Sequence, residues 1–367
     1  MPAPFNIQQL LHLASIPGMS NSKLKNLIDY FGSPEQVLAA SPLQLIKVEG
    51  IKKELASAVA HAETNKTFIE DQLKRINRIE GKILTIWDSE YPPLLKEVFD
   101  APVLLFLRGT ITLNDQYAMA IVGTRRPSAY GISVAENFSK ELSGMGITII
   151  SGLARGIDTH AHHGALKGEG RTIAVLGGAV DKIYPKENER LAEKICSNGA
   201  VISEMFMGAK AELWSFPKRN RIISGMSLGT IIIESDEDGG AMITARTTID
   251  QNRELFCVPG NITEHKSNGT NKLIKLGQAK LVQTVDDILV ELEAKLKPIL
   301  KTKKQEPAPQ LSVFEQKIFD CLSYDPIHID VLSEKSELSS ADTLVNLLSL
   351  EFKGMVRQMA GKMFVKM

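Results

Sequence analysis

Residues 119–158 read MAIVGTRRPSAYGISVAENFSKELSGMGITIISGLARGID, and the order of textures within them decides the fold. Met119–Val122 is a short apolar run that stops at a glycine, Gly131–Gly144 has helical spacing, and Ile147–Ile150 is a second apolar run that stops at Ser151 and Gly152. Two strands joined through a helix pair in parallel, because only a crossover of that length returns the chain to the same end of the sheet. Similar runs occur at Lys82–Trp87, Val103–Leu107, Thr172–Leu176, Ala200–Ser203, Thr230–Glu234 and Leu255–Val258, with helical stretches such as Ala241–Asn252 between most of them. This alternation predicts an α/β fold, a Rossmann-like, doubly wound and mainly parallel sheet, over residues 79–293.

The flanks have other textures. Residues 1–78 are helical in pattern, with apolar residues three and four apart (Leu10, Leu11, Ala14; Leu24, Leu27, Ile28; Leu55, Val59), which predicts an all-α domain of SAM or helix-hairpin-helix type. Within it IPGMSNSKLKNLI from Ile16 and VEGIKKELASAV from Val48 form a weak internal repeat, each with a glycine between hydrophobics ahead of an amphipathic helix. Residues 294–310 (AKLKPILKTKKQEPAPQ) are rich in Lys and Pro and read as a solvated linker. In residues 311–367 a helix with Phe314, Ile318, Cys321 and Leu322, a second N-capped by Asp330, a third from Ser339 and a hairpin around Ala360-Gly361 predict a winged helix.

Composition narrows the function. The 367 residues are long enough for two or three domains, and 43 basic against 43 acidic residues leave no whole-protein field to attract a polyanion, so any nucleic-acid surface is local. Cys196, Cys257 and Cys321 form no CxxC pair, which argues against a disulfide framework or a thiolate metal site and fits a reducing compartment. MPAPFNIQQLLHLASIPG has no basic leader, and no apolar run approaches the roughly 20 residues that span a bilayer. A cytoplasmic protein without membrane contact is expected.

In an open parallel sheet, ligands gather at the carboxyl ends of the strands. There the first loop, GTRRPSAYG, carries Gly123, Thr124, Arg125 and Arg126, and the second, SGLARGIDTHAHHGAL, carries Gly152, Arg155 and Gly156. GGAVDKIYPKEN adds Lys182 and Lys186, and FPKRNRIISG adds Lys218, Arg219, Asn220 and Arg221. Glycines that admit close approach, helix starts and guanidiniums together make anion sites, and several side by side suit a polyanion. The first loop lacks GxGxxG, Ser151 stands where a ribose-binding acid would, and Walker A is missing, so no dinucleotide or other cofactor is expected. His160, His162 and His163 spread over different helix faces and suggest no metal, and Asp158 reads as a cap beneath His162. Glu204 and Glu234 offer either a catalytic acid and base or, the commoner use, carboxylates that orient arginines; if they or Asp158 pair with Arg125, Arg155, Arg219 and Arg221, these are structural rather than one phosphate track. In NKLIKLGQAKLV, Leu273, Ile274, Leu276 and Leu281 either cover the sheet or form a dimer interface.

The phrases IVGTRRPSAYG, SGLARGIDTHAH, GRTIAVLGG, YPKEN, FPKRNRIISG, TARTTIDQNRELFCVPG and NKLIKLG, in this order from Ile121 to Gly277, resemble the DNA-processing protein A (DprA, or Smf) family. The resemblance implies a non-enzymatic recombination mediator that binds single-stranded DNA, dimerises through its core and loads the recombinase RecA during natural transformation. It also implies DNA contacts at Gly123, Arg125, Arg155, Lys186, Arg219 and Arg221. One departure is the acidic loop Ser235–Asp238 before Gly239-Gly240. Two other readings compete: SLGTIIIE, Ser227 to Glu234, is similar to a phrase of nucleoside-monophosphate phosphoribohydrolases, and the winged helix alone would suit a transcription factor. Against the latter, the third helix of the winged domain holds Asp342 and Glu351 and no Lys or Arg from Ser339 to Phe352, which favours protein over DNA contact.

Overall fold

Ile7–Ser15 (α1), Asn21–Phe31 (α2), Pro34–Ala39 (α3), Pro42–Leu45 (α4), Lys53–Ala60 (α5) and Lys66–Arg78 (α6) are helical in the computed structural model, which describes residues 5–300, 311–323, 326–353, 355–359 and 361–366. Asn6, Ser20, Ser33 and Asn65 end the preceding loops by accepting N–H bonds from the first turns of α1, α2, α3 and α6. The two repeat phrases form the turns into α2 and α5, and the leucines at three and four spacing are buried. Leu10, Leu24 and Leu27 share one apolar cluster with Val103, Phe106, Leu176 and Val201 of the neighbouring sheet, so helices and sheet form one compact unit.

The sheet strands are Lys82–Thr85 (β1), Leu104–Gly109 (β2), Ala118–Val122 (β3), Thr148–Ser151 (β4), Thr172–Val175 (β5), Gly199–Ser203 (β6), Gly229–Ile232 (β7), Glu254–Cys257 (β8) and Lys280–Leu281 (β9). Their order is β1-β2-β6-β5-β4-β3-β7-β8-β9. Every pair from β6 to β9 is parallel, and β1 and β2 extend that sheet antiparallel at the β6 edge. Strand β9 has no apolar run to announce it, since both its residues are exposed.

Pro93–Lys96 (α7), Ala129–Gly144 (α8), Ile157–Lys167 (α9), Glu189–Ser197 (α10), Ser215–Gly225 (α11), Gly240–Asp250 (α12), His265–Lys275 (α13), Val285–Glu291 (α14) and Glu293–Leu300 (α15) complete this unit. Strand alternation distributes them. Met119 and Ile121 of β3 face the cluster of α8 and α9, whereas Ala118, Ala120 and Val122 face that of α11 and α12. The linker expected to open at Ala294 is corrected here: α15 continues to Leu300 because Leu296 joins Ile288 and Leu292 in the core. Its remainder, 301–310, lies outside the described residues.

The C-terminal unit holds Ile327–His328 (β10), Val356–Met359 (β11), Met363–Lys366 (β12), Val313–Cys321 (α16), Ile329–Ser336 (α17) and Ser340–Phe352 (α18), with antiparallel strand order β10-β12-β11. Ile318, Leu332, Leu347, Leu350 and Phe364 close its core, which makes the winged helix. Asp330 is not the cap of α17. The chain is still extended at His328, whose side chain accepts the Asp330 N–H at 3.3 Å, and Asp330 sits in the first turn. Ala360, at the expected hairpin tip, lies outside the described residues, and Met359 and Met363 pair on either side of it. Among the described residues no helix is long and apolar enough to cross a membrane.

Candidate nucleic-acid interface

After β3 the chain winds outward through β4, β5 and β6, then returns to β7 on the other side of β3. Loops therefore diverge between the carboxyl ends of β3 and β7, and such a switch point leaves a crevice. A cleft of about 520 Å³ lies there, lined on one side by Gly123–Arg126, Asp158, Phe216, Arg219 and Asn220, and on the other by Ser235, Asp236, Gly239, Gly240 and Thr244.

The β3 loop is held at both sides. Thr124 donates its N–H to the Glu234 carbonyl at 2.7 Å, and its own carbonyl accepts the Ile157 N–H at 3.2 Å. Only glycine fits beside it at 156, where φ is +78° and a Cβ would stand 2.3 Å from the Thr124 oxygen. With the backbone so fixed, Arg125 and Arg126 project outward and are exposed. The Arg125 guanidinium lies 5.2 Å from the centroid of the Phe216 ring, a cation–π distance, and Phe216 lies 6.0 Å from the exposed Tyr184 ring. Arginine and two aromatic rings thus form a row along the cleft mouth.

The other arginines divide. Arg219, only 5% exposed, donates through Nη1 to the carbonyls of Gly152, at 2.5 Å, and of Val175. Burial lowers its pKa to about 10, against the opposing pull of Asp158. A Cβ at residue 152 would lie 2.0 Å from that Nη1, so the glycine makes room for the guanidinium. Asp158, itself buried, accepts the Gly152 N–H at 3.1 Å and the Ala154 N–H at 3.4 Å, and burial raises its pKa despite Arg219. Asp158 therefore folds the β4 loop back on α9; the N-cap is Gly156. Arg221 pairs with buried Glu204 at 2.5 Å and donates to the Asp100 carbonyl. Glu204 also accepts from Asn21 at 3.3 Å, which ties α2 to the sheet. Arg219 and Arg221, expected from the sequence as DNA contacts, are thus turned into the fold, whereas Arg125 and Arg155 are exposed.

Arg155 forms an exposed, bidentate pair with Glu187, and Lys218 lies 3.5 Å from Glu204. Lys186 is exposed and lines a groove beyond Tyr184 that mixes the basic Arg108 and Lys182 with the acidic Asp181, Glu189 and Glu193. Glu234 does not orient an arginine: its carboxylate accepts the Ser128 N–H at 2.9 Å and the Ser128 hydroxyl, at the start of α8. A Cβ on Gly131 would stand 2.5 Å from that carboxylate, so α8 packs directly on it. His160 meets Glu136 at 2.8 Å and has the His163 ring 6.5 Å from its own, whereas His162 turns away to meet Thr172 at 2.7 Å, where burial lowers its pKa to about 3. Among the described residues no group of three or more His, Cys, Asp or Glu is placed to hold a metal ion.

Sequence patterns single out Ser235–Asp238 only as an acidic departure, not as a lip of the cleft, and they do not find the aromatic row. Gly239-Gly240 ahead of a helix was the available signal, but only the strand order shows that this loop faces Arg125. The lip is acidic: Asp236, Glu237 and Asp238 are exposed, with Glu237 paired to Lys272. Of the apolar four in NKLIKLGQAKLV, Leu273 is buried in the core and Ile274 half-buried, whereas Leu276 and Leu281 are exposed.

Comparison with known proteins agrees with this architecture. Residues 82–293 match the model of the DNA recombination-mediator protein A family, 302–362 the DprA winged helix domain, and 10–60 a SAM-like helix-hairpin-helix tandem. The chain is 41% identical over 210 residues to the DNA processing protein DprA of Bacillus subtilis, covering 57% of this chain and 70% of that one. It is 31% identical to the protein Smf of Synechocystis over 97% of this chain and 98% of that one. Among solved structures, DNA processing protein A of Streptococcus pneumoniae superposes with a TM-score of 0.68 at 30% identity, over 78% of this chain and 98% of that one. DNA processing protein A of Helicobacter pylori, described for its single-stranded DNA binding mode, gives 0.54 at 30% identity, over 59% and 97%.

Proposed function

This chain belongs to the DNA recombination-mediator protein A family, and from that premise we propose that its central domain binds single-stranded DNA across the carboxyl ends of β3, β4 and β5. The observation that carries this reading is the row of Arg125, Phe216 and Tyr184 at the cleft mouth, with Lys186 beyond. A single strand exposes both phosphates and unstacked bases, and cations interleaved with aromatic rings meet both at once. The acidic lip repels phosphates from the β7 side and directs the backbone along the arginine side. Arg219, Gly152 and Thr124 serve the strand indirectly, by fixing the loops that hold Arg125 and Arg155.

The relative from Helicobacter pylori, whose structure concerns single-stranded DNA, supports the choice of ligand. Against the phosphoribohydrolase alternative we set Glu234, whose carboxylate accepts the Ser128 N–H and hydroxyl. The protein is therefore read as a binding protein rather than an enzyme. Anisotropy titration of a labelled single strand and its duplex at two salt concentrations tests it: tighter single-strand binding that weakens with salt is expected, and equal affinity for both forms refutes it.

The same reading includes a cytoplasmic homodimer that loads RecA onto the bound strand. Exposed Leu276 and Leu281 are the support for self-association, and Leu273 is not available to it. Light scattering at micromolar concentration is expected to give twice the chain mass, reduced to one chain by Leu276→Asp. A single-chain mass for the wild type sinks the dimer, and unchanged RecA filament nucleation on adding the protein sinks the loading role.

A further inference from the structure

We propose that Glu234, which pairs with no arginine itself, is a positioning residue for strand binding: by holding both ends of the β3 loop it fixes Arg125 and Arg126 at the cleft mouth before DNA arrives. Glu234 lies just past the end of β7 and is only 4% exposed. Its main chain and its side chain grip different residues. The carbonyl accepts the Thr124 N–H at 2.7 Å, whereas carboxylate Oε2 accepts the Ser128 N–H at 2.9 Å and Oε1 accepts the Ser128 hydroxyl. Between these two anchors lie only Arg125, Arg126 and Pro127. A single residue of the neighbouring strand thus staples the arginine loop at its two ends.

Neither of the commoner uses of a carboxylate accounts for this one. Helix α8 does not need it as a cap, because the Ser128 hydroxyl already accepts the Gly131 N–H at 3.1 Å. It is not half of an ion pair either, since among the described residues no Lys or Arg pairs with it. What the carboxylate adds is a fixed direction for the chain at Ser128, and with it the far end of the loop that carries the arginines. Two hydrogen bonds and the start of the 16-residue α8 offset the desolvation of this buried anion. The gain is preorganisation. A guanidinium on a loose loop must be ordered when a phosphate binds, and that ordering subtracts from affinity. Here the loop is ordered on folding, with the Arg125 guanidinium already over the Phe216 ring. Reach decides the grip: a carboxamide of the same length keeps an acceptor for the Ser128 N–H, whereas a carboxylate one methylene shorter keeps the charge and falls short.

This role rests on the strand path proposed above, so one arm of the test needs no DNA. Glu234→Gln and Glu234→Asp, in the full chain, separate reach from charge, and melting curves report that each is folded at the assay temperature. With ¹⁵Nε-labelled arginine, the Arg125 signal, identified by its loss in Arg125→Lys, carries a ring-current shift from Phe216. That shift is expected to persist in the Gln variant and to collapse in the Asp variant. In anisotropy titrations with a labelled single strand, the Asp variant should bind about tenfold more weakly and the Gln variant within about twofold of the wild type. The salt slope should stay the same in both, because each guanidinium still neutralises its phosphate once ordered. A wild-type Arg125 signal and affinity in the Asp variant overturns the proposal. So does a Gln variant that loses as much as the Asp variant, which assigns the effect to charge. A collapsed signal in the Asp variant, alongside a wild type with no preference for single strands, upholds the clamp and refutes only the strand-binding reading.

Discussion

Replacing Arg219 by alanine is expected to cost about 3 kcal/mol or more of folding stability and to leave the salt dependence of DNA binding unchanged. The substitution removes the donor of the Gly152 and Val175 carbonyls at adjacent strand ends and takes a positive charge from beside buried Asp158. Asp158 gives the prediction a pH signature. Burial raises its pKa in the folded protein, so the folded state holds this proton more tightly than the unfolded chain, and stability contributed by the protonated form is lost as pH rises through the folded pKa. Arg219 limits that loss by favouring the carboxylate. Without it the loss deepens, so the gap between wild type and variant should be wide at neutral pH and narrow toward the ordinary carboxylate range. Urea denaturation at pH 7 and pH 5 measures both quantities. A loss under about 1 kcal/mol, accompanied by a flatter salt slope, would show that Arg219 is a phosphate contact after all.

Replacing Arg125 and Lys186 together by alanine should do the opposite. Both are exposed, and neither donates to the backbone in the way Arg219 does, so stability should move by no more than about 0.5 kcal/mol. Single-strand affinity should fall on the order of 30-fold, and the slope of log K against log salt should flatten by roughly 1.4, from roughly 0.7 for each phosphate that is no longer neutralised. Arg125→Lys is the finer probe. A lysine ammonium keeps the charge and hence the slope, but gives up the planar contact with Phe216 and any bidentate grip on a phosphate. Affinity unchanged in the double variant would refute the strand path along the β3 to β5 side.

Much of this protein was legible from local pattern. Apolar runs that stop at glycine or polar loops marked eight of the strands to within a few residues, because burial in the sheet demands nearly continuous β-branched and aliphatic residues. The loops that carry the arginines were legible for the same reason, as was the winged helix from its three helices and terminal hairpin. Strand β9 was not, since a two-residue edge strand with exposed side chains leaves no hydrophobic trace.

The tertiary structure alone decided which charges face solvent. Arg125 and Arg219 both stand beside glycine-rich strand ends in the sequence. Yet one is exposed over Phe216, while the other lies beneath the β4 loop because Gly152 leaves space for it. Leu273 and Leu276 are likewise three residues apart on one phrase, one in the core and one exposed. The acidic lip lies across from Arg125 only because β7 pairs with β3 rather than with β6. Sequence determines the propensity of each segment through neighbours a few residues away, so elements and loops can be read from it. Strand order, burial of a given guanidinium and the facing of two loops depend on partners about 30 to 110 residues distant, which local periodicity does not encode.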